Sequence, residues 1–400
     1  MGLRLPGVRT SAIISVMKIG IDTLFEHPEH PSSAIDYLIN LMEWLPRTAL
    51  EHSYYAFVSA RNRHHFRHLG EVPNLQFVNC FVSNENVPLR IIVQQSILPA
   101  LVARMGLDVL YCPGNVCPLF GQFRRVLKIN TLHHYVMPEL VGRSRSLYRN
   151  FAFVRSARKA DRIVANTRAT KEEICRRMEV PESKVTVVAE ASYDCYASSS
   201  EDKTETTLAR YGLRSDYVLF VSNLYRYKNV ETLIRAFAKL PLAWCTRCEL
   251  VVAGRDYESY QADLISVAEN LGIAQRIRFL GFVPATDLPA LYTGARVFVY
   301  PSLQETFGKP LVEAMRCGVP IVASDTSSIP EVLGGAGLLV APLDVDDMAS
   351  AIRKAGWNEQ VRAKLIERGR TRARCFSWEA SAKETLRVIE ETVQNRHETS

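Results

Sequence analysis

Four hundred residues at 45.1 kDa exceed what one ordinary core organises and suit two domains of about 100–200 residues each. With 47% hydrophobic and 23% charged residues the composition is globular, which excludes a disordered, fibrous or collagen-like chain. Lys and Arg outnumber Asp and Glu by 49 to 42, and the whole surplus lies in residues 1–200, which hold 24 basic and 17 acidic side chains against 25 of each in residues 201–400. The N-terminal half is therefore expected to meet something anionic: nucleic acid, a membrane surface or a phosphorylated substrate.

No apolar run reaches the roughly 18 residues of a transmembrane helix. Residues 1–16 have only the outline of a secretory leader, because their apolar stretch is short, Lys18 interrupts it and no small-residue cleavage site follows. Pro6 stands where a myristoylation signal wants Ser or Thr. Met17 heads the strand-like MKIGID and is the expected start of the native chain, with 1–16 an extension.

Short apolar runs rich in Val, Ile and aromatics then recur: KIGID (18–22), YYAFVS (54–59), LQFVNC (75–80), DVLYCP (108–113), RVLKIN (125–130), RIVANT (162–167) and VTVVAE (185–190). A second set comprises YVLFVS (217–222), ELVVAG (249–254), IRFLGF (277–282), VFVYPS (297–302), PIVASD (320–325) and GLLVAP (337–342). Continuous rather than alternating apolarity predicts strands buried on both faces, hence two parallel sheets covered by helices in an α/β architecture. The Ser, Thr and acidic stretch between the sets predicts a linker over 198–215, separating domains at 17–197 and 216–375. A closing helix is expected near 377–394, capped by Ser377, with Ala380, Leu386, Ile389 and Val393 as its apolar stripe.

Nine scattered cysteines, mostly in apolar context, suit reduced thiols in a cytosol. Cys245 and Cys248 have redox or zinc spacing, but no second such pair or paired histidines accompany them, so neither role is expected.

In open parallel sheets ligands bind beyond the carboxyl ends of strands, and two facing sheets make a cleft. The densest chemistry follows VFVYPS: Glu305 in a loop, Phe307 and Gly308, Pro310 at a helix start, Glu313 inside that helix and Gly318 past its end. The helix start predicts an anion site suited to a diphosphate. The seven-residue gap between Glu305 and Glu313 is uninformative alone, since Glu43/Glu51, Glu182/Glu190, Glu359/Glu367 and Glu390/Glu398 share it. The surrounding strand, glycine loop and Pro-initiated helix set this pair apart. Asn223, Arg226 and Lys228 follow YVLFVS, where cations can neutralise a leaving diphosphate or simply face solvent. His133 and His134 follow RVLKIN, and for each a sugar contact and a structural role stand level; YCPGNVCP (111–118) ends another strand in a loop facing the same cleft.

With these motifs in place the chain resembles the retaining glycosyltransferases of family four, over nearly everything from MKIGID to FSWE (376–379) and most strongly over 277–342. The resemblance implies the GT-B fold, two facing Rossmann-like doubly wound domains, with the last helix crossing back onto the first. It assigns Glu305 and His133 to catalysis at the donor sugar and Glu313 to the nucleotide ribose. Phe307, Gly308, Lys309, Pro310 and Leu311 cradle sugar and diphosphate, and Lys228 neutralises the diphosphate. Three positions depart from the family pattern. HPEHPSSAIDYL (27–38) replaces a Gly-Gly loop, leaving Ser32 or Ser33 to open an anion-binding helix end with Asp36 in a variant capping box. Asn223 replaces an Arg, for which Arg226 is the available substitute, and His134 replaces an Asp.

The resemblance further implies transfer with retained configuration, the departing diphosphate helping to deprotonate the acceptor. The donor expected is a nucleotide diphosphate sugar, mannose foremost, and the acceptor a lipid-linked glycan of bacterial surface polysaccharide, at the inner face of the cytoplasmic membrane. Asp344-Val-Asp346 reads as a helix cap rather than a metal site, so neither a divalent cation nor another cofactor is expected. A nucleotide-sugar epimerase, a phosphorylase and a non-catalytic binding protein on the same fold are the alternatives; nucleic-acid binding lacks an interleaved aromatic pattern or a known module. Residues 143–177 carry eleven Arg and Lys against Asp161, Glu172 and Glu173, and this basic run is the expected contact with an anionic membrane, against the alternative of a solvated helix face.

Overall fold

The computed structural model describes residues 16–26, 34–82, 85–132, 135, 143–192, 196–241 and 248–394. Each apolar run anticipated as a strand lies in a parallel sheet. The first sheet contains β1 (Lys18–Asp22), β2 (Ser53–Ser59), β3 (Leu75–Cys80), β4 (Val109–Cys112), β5 (Arg124–Lys128), β6 (Arg162–Ala165) and β7 (Val185–Val187), in the order 3-2-1-4-5-6-7. The second contains β8 (Tyr217–Val221), β9 (Leu250–Ala253), β10 (Ile277–Gly281), β11 (Ala295–Tyr300), β12 (Ile321–Ser324) and β13 (Leu338–Val340), in the order 10-9-8-11-12-13. Both are doubly wound, and each reverses direction beside its first strand: β1 pairs with β2 and β4, and β8 with β9 and β11. At such a reversal the flanking loops diverge and leave a crevice at the strands' carboxyl ends. VTVVAE is ladder-paired only over Val185–Val187 because the chain then leaves the sheet edge toward the second domain.

Helices cover both sheets. The first domain has α1 (Ala34–Thr48), α2 (Val87–Ile92), α3 (Leu98–Met105), α4 (Arg143–Lys159) and α5 (Arg168–Met178). The stretch expected as a linker holds a helix instead, α6 (Glu201–Arg210), with Ser200 at its N-cap and two acids in its first turn. Ser followed by acids suits a helix start as well as a solvated linker. Burial of Thr204, Thr207 and Leu208 on that helix decides for packing, and Arg210 and Tyr211 then hold Asp287 at 3.0 and 2.8 Å. The second domain continues with α7 (Val230–Ala238), α8 (Gln261–Asn270), α9 (Leu288–Gly294), α10 (Lys309–Cys317), α11 (Ile329–Leu333), α12 (Val345–Trp357) and α13 (Glu359–Ala373).

The last helix, α14 (Trp378–Gln394), lies on the first domain. Ser377 Oγ accepts from the Ala380 amide at 3.1 Å, as a cap should. Its buried stripe is Trp378, Ala382, Leu386 and Ile389, whereas Ala380 faces solvent. Trp378 packs on Tyr37 of α1 at 5.8 Å between rings, and Glu390 pairs with the buried His52 at 3.3 Å. One apolar cluster consequently runs from Ile19 and Leu41 through Tyr196 and Trp378 to Tyr300 and Leu311. No helix among the described residues is long and apolar enough to cross a membrane.

Candidate active site

The crevice of the second sheet is assembled by one residue with an unusual backbone. Asn229 sits in the left-handed region at φ +58°, ends the turn Arg226–Lys228, and donates from its side chain to the Pro301 and Pro342 carbonyls at 3.1 and 2.6 Å. The turn is thereby fastened to the loop beyond β11, and Lys228 is driven inward. Its Nζ donates to Glu305 Oε1 at 2.5 Å and to the Tyr300 hydroxyl at 3.2 Å, and that hydroxyl donates to the same carboxylate oxygen at 2.6 Å. Burial alone would depress the Lys228 ammonium, but Glu305 and the rings of Tyr300 and Tyr227 outweigh it and hold the group well above the usual lysine range. The Glu305 loop is fixed from behind, since its N–H donates to Ser327 Oγ at 2.9 Å and its carbonyl accepts from Ser328 Oγ at 3.0 Å.

Immediately downstream, Phe307 is buried edge-on against Phe376. Gly308 adopts φ +90° at the N-cap of α10, a conformation that side chains strain to reach, and its carbonyl accepts from the Leu311 amide at 2.9 Å. Pro310 supplies no N–H in this first turn. Glu313, one turn on, accepts from the Tyr292 hydroxyl at 2.9 Å, and burial pushes its carboxyl up to about 7. Lys309 reaches Glu190 of the first domain at 3.8 Å, and Glu190 also meets the buried Lys128 at 3.1 Å. Burial would raise the Glu190 carboxyl; the two lysines overcome that and lower it.

Of the residues singled out from the sequence, Lys228, Glu305, Phe307, Gly308, Lys309, Pro310, Leu311 and Glu313 come together in this crevice and the helix leaving it. Arg226 does not join them: its guanidinium is exposed, holds Asp263 at 2.6 Å and stacks over Tyr260, so its place as a substitute diphosphate ligand is not the one observed. Asn223 is exposed and accepts from the Arg255 amide at 3.3 Å. Ser32, Ser33, His133 and His134 lie outside the described residues. Asp344 caps α12, accepting from the Asp346 and Asp347 amides at 3.0 and 2.9 Å.

The first domain meets this crevice through α5. Thr167 and Thr170 donate to the Thr306 carbonyl at 3.3 and 3.0 Å, Thr306 Oγ1 donates to the Asn130 carbonyl at 2.7 Å, and Glu331 receives the Arg168 and Ala169 amides at 2.8 and 3.2 Å. Ala169, Thr170, Glu173, Arg176 and Arg177 of α5 face Gln304, Glu305 and Ser327 across a cavity of about 240 Å³. The basic run 143–177 is thus divided: Arg158 pairs with Glu179, and Arg176 and Arg177 face the cleft rather than an outer surface. Reading the sequence missed Tyr300, Ser327, Ser328, Lys128 and Glu331 in these roles. Ser327, Ser328 and Glu331 had a legible signal in the SSIPEV segment, whereas Tyr300 and Lys128 sit in strands and read as core.

Two family models match this chain: Glycosyltransferase Family 4 over residues 36–190 and Glycosyl transferases group 1 over 209–372. The O-antigen chain mannosyltransferase B of Escherichia coli is 32% identical over 265 residues, 66% of this chain and 69% of that protein. The serotype-specific mannosyltransferase WbdA of Escherichia coli is 29% identical over 60% of this chain, but the match spans only 30% of that longer protein. Among solved structures, Anabaena HepE in complex with UDP and glucose superimposes with TM-score 0.72 at 20% identity, covering 94% of this chain and all of that one. The chain belongs to the glycosyltransferases of group 1 and family 4, and its two facing doubly wound domains form the GT-B fold.

Proposed function

We propose that this glycosyltransferase moves a mannose from a nucleotide diphosphate sugar to a glycan acceptor, lipid-linked, in the assembly of bacterial surface polysaccharide, with retention of configuration and without a divalent metal. The observation that carries the donor assignment is the buried Lys228–Glu305–Tyr300 cluster at the reversal point of the second sheet. A buried ammonium held charged at the carboxyl edge of a parallel sheet meets the requirement of a leaving diphosphate. Mannose and O-antigen are supported by the names of the Escherichia coli relatives, and a nucleotide donor by the UDP complex of HepE.

In the reaction the bond from the anomeric carbon to the diphosphate breaks while the acceptor oxygen bonds to that carbon on the same face, and the acceptor proton passes to the departing diphosphate oxygen. Lys228 stabilises the charge that grows on the diphosphate. Glu305, shared by Lys228 and Tyr300, orients the donor sugar rather than attacking it. The N-terminal end of α10 lies alongside and favours negative charge.

Purified protein offered a panel of sugar nucleotides is expected to hydrolyse or bind GDP-mannose best, and Lys228→Ala and Glu305→Ala are each expected to lower turnover about 10²–10³-fold. Full activity in both variants would refute the site; restoration by manganese of EDTA-abolished transfer would refute metal independence. Exposed Leu147, Tyr148 and Phe151 on α4, with Arg155 over the Phe151 ring at 4.9 Å, support peripheral contact with an anionic bilayer at the inner membrane face. Co-sedimentation with anionic but not neutral vesicles is the check.

A further inference from the structure

The cavity between α5 and the Glu305 loop is walled on its α5 side by residues that the donor assignment does not use. Five of its lining residues, at positions 169, 170, 173, 176 and 177, recur at helical spacing and form one stripe of α5 aimed at the second domain. Two of them are arginines, and both turn onto one carboxylate: Arg176 Nη2 and Arg177 Nε donate to the two oxygens of Glu173. Two guanidiniums against one carboxylate leave one net positive charge on the wall. Each guanidinium carries five N–H groups and spends one on Glu173. Arg177 is steadied by stacking over Tyr135 at 5.2 Å between guanidinium and ring, and stays 27% exposed.

The opposite wall belongs to the second domain. Gln304 and Glu305 line it with Ser327, which holds φ +51°, a left-handed conformation that a serine adopts at a cost. Ser327 Oγ accepts the Glu305 amide at 2.9 Å. At about 30 Å³ per water, the cavity's roughly 240 Å³ holds about eight waters, the space of one monosaccharide or one phosphate with its ester group. Lys228 reaches Glu305 from inside the second domain, so the cavity approaches the same loop from the other side.

Resting on the transferase reading above, we propose that Arg176 and Arg177 form an acceptor subsite that binds a phosphate group carried by the acceptor, with Glu173 spacing the two guanidiniums and Gln304 completing the wall. Bidentate phosphate recognition is what a paired guanidinium fork does best, and lysine reproduces its charge without its geometry. The subsite would distinguish an acceptor whose sugar is phosphate-linked from a neutral glycoside of the same sugar.

The test compares wild type, Arg176→Ala/Arg177→Ala and Arg176→Lys/Arg177→Lys on two acceptors of identical sugar, one a glycosyl phosphate and one an alkyl glycoside. The alanine pair is expected to raise KM for the phosphorylated acceptor about tenfold, the lysine pair less, with KM for the alkyl glycoside and acceptor-free donor hydrolysis unchanged. Equal losses on both acceptors, a loss of donor hydrolysis, or no change would overturn the assignment, the second outcome placing the arginines on the donor's own diphosphate. Calorimetric titration with the glycosyl phosphate, no donor present, separates this proposal from the transferase reading. Binding by wild type that the alanine pair loses supports the subsite even if no sugar nucleotide is turned over, and equal binding by both overturns it. Both arginines are partly exposed, and equal melting temperatures establish that the variants fold.

Discussion

The second domain's Glu305 loop and the first domain's helix α5 bring opposite kinds of charged group to the cleft. In the second domain, the charged groups are buried and already matched: Lys228, Glu305 and Tyr300 share hydrogen bonds, and Asn229, Ser327 and Ser328 hold the backbone around them. In the first, the buried carboxylate Asp22 is consumed in structure, accepting from the Leu24 amide and from Gln94 Nε2, both at 2.9 Å, while the cleft-facing cations Arg176 and Arg177 keep solvent contact. The difference separates two tasks. A group that must meet charge appearing in a transition state gains from being desolvated and oriented beforehand, and one that must admit a varied partner gains from remaining wet.

Removing Lys228 should break this contrast most severely. Lys228→Ala leaves Glu305 as an uncompensated carboxylate and should cost about 3–5 kcal/mol in urea denaturation, with kcat/KM falling about 10²–10³-fold. Lys228→Ala/Glu305→Ala should be less destabilised than the sum of the singles; strict additivity would show that the pair is not coupled.

Backbone geometry at the same edge is the next lever. Gly254 directly follows β9 at φ +153°, where an added Cβ would stand 1.8 Å from the Ser222 carbonyl oxygen. Gly254→Ala should lower stability by about 1–3 kcal/mol and depress donor turnover, because Ser222 and Asn223 must move. An unchanged melting temperature would argue that this edge is softer than its hydrogen bonding suggests.

Glu313 gives the contrast a pH signature. Its carboxyl, raised by burial from 4.5 to about 7, stays protonated in the fold while the unfolded chain has already ionised. Its contribution is therefore fully favourable below about 4.5 and is lost as pH rises toward about 7. Thermal melts of wild type and Glu313→Gln across this range should show the glutamine variant gaining relative stability as pH rises. Parallel curves would mean that Glu313 titrates normally.

The smallest effect is expected far from the cleft. Asp344→Ala removes the α12 cap and should cost about 0.5–2 kcal/mol with turnover intact, and manganese should leave the melting temperature of wild type where it was. A manganese-dependent rise lost in the variant would return this segment to the list of cation sites.

Much of this was legible in the sequence, for physical reasons that differ by element. Strands buried on both faces must be apolar throughout, so β1 through β13 announced themselves, and the Pro-initiated, Gly-terminated segment after VFVYPS read as the helix α10 that it is. Helix α6 was concealed because its burial depends on Thr204, Thr207 and Leu208 among charged neighbours, a pattern that reads as solvated until a partner surface is present. Arg226 carried the right charge in the right loop, but Asp263 on α8 and Tyr260 just ahead of it claim it, and sequence distance does not reveal the approach of that helix. Arg176 and Arg177 were visible as charge, and only the placement of α5 against the Glu305 loop shows which way that charge faces.

Helix α14 bears on how the molecule comes apart. Trp378, Leu386 and Ile389 belong to an apolar cluster that includes Tyr37 of the first domain and Tyr300 and Leu311 of the second, so the two halves share one interior besides the cluster each keeps for itself. A chain cut before Trp378 would bare the α1 surface to water and favour association between copies, and heating the intact protein should melt both halves in one cooperative step rather than two. The two halves can be divided at the cleft only by losing the helix that ties the second back to the first.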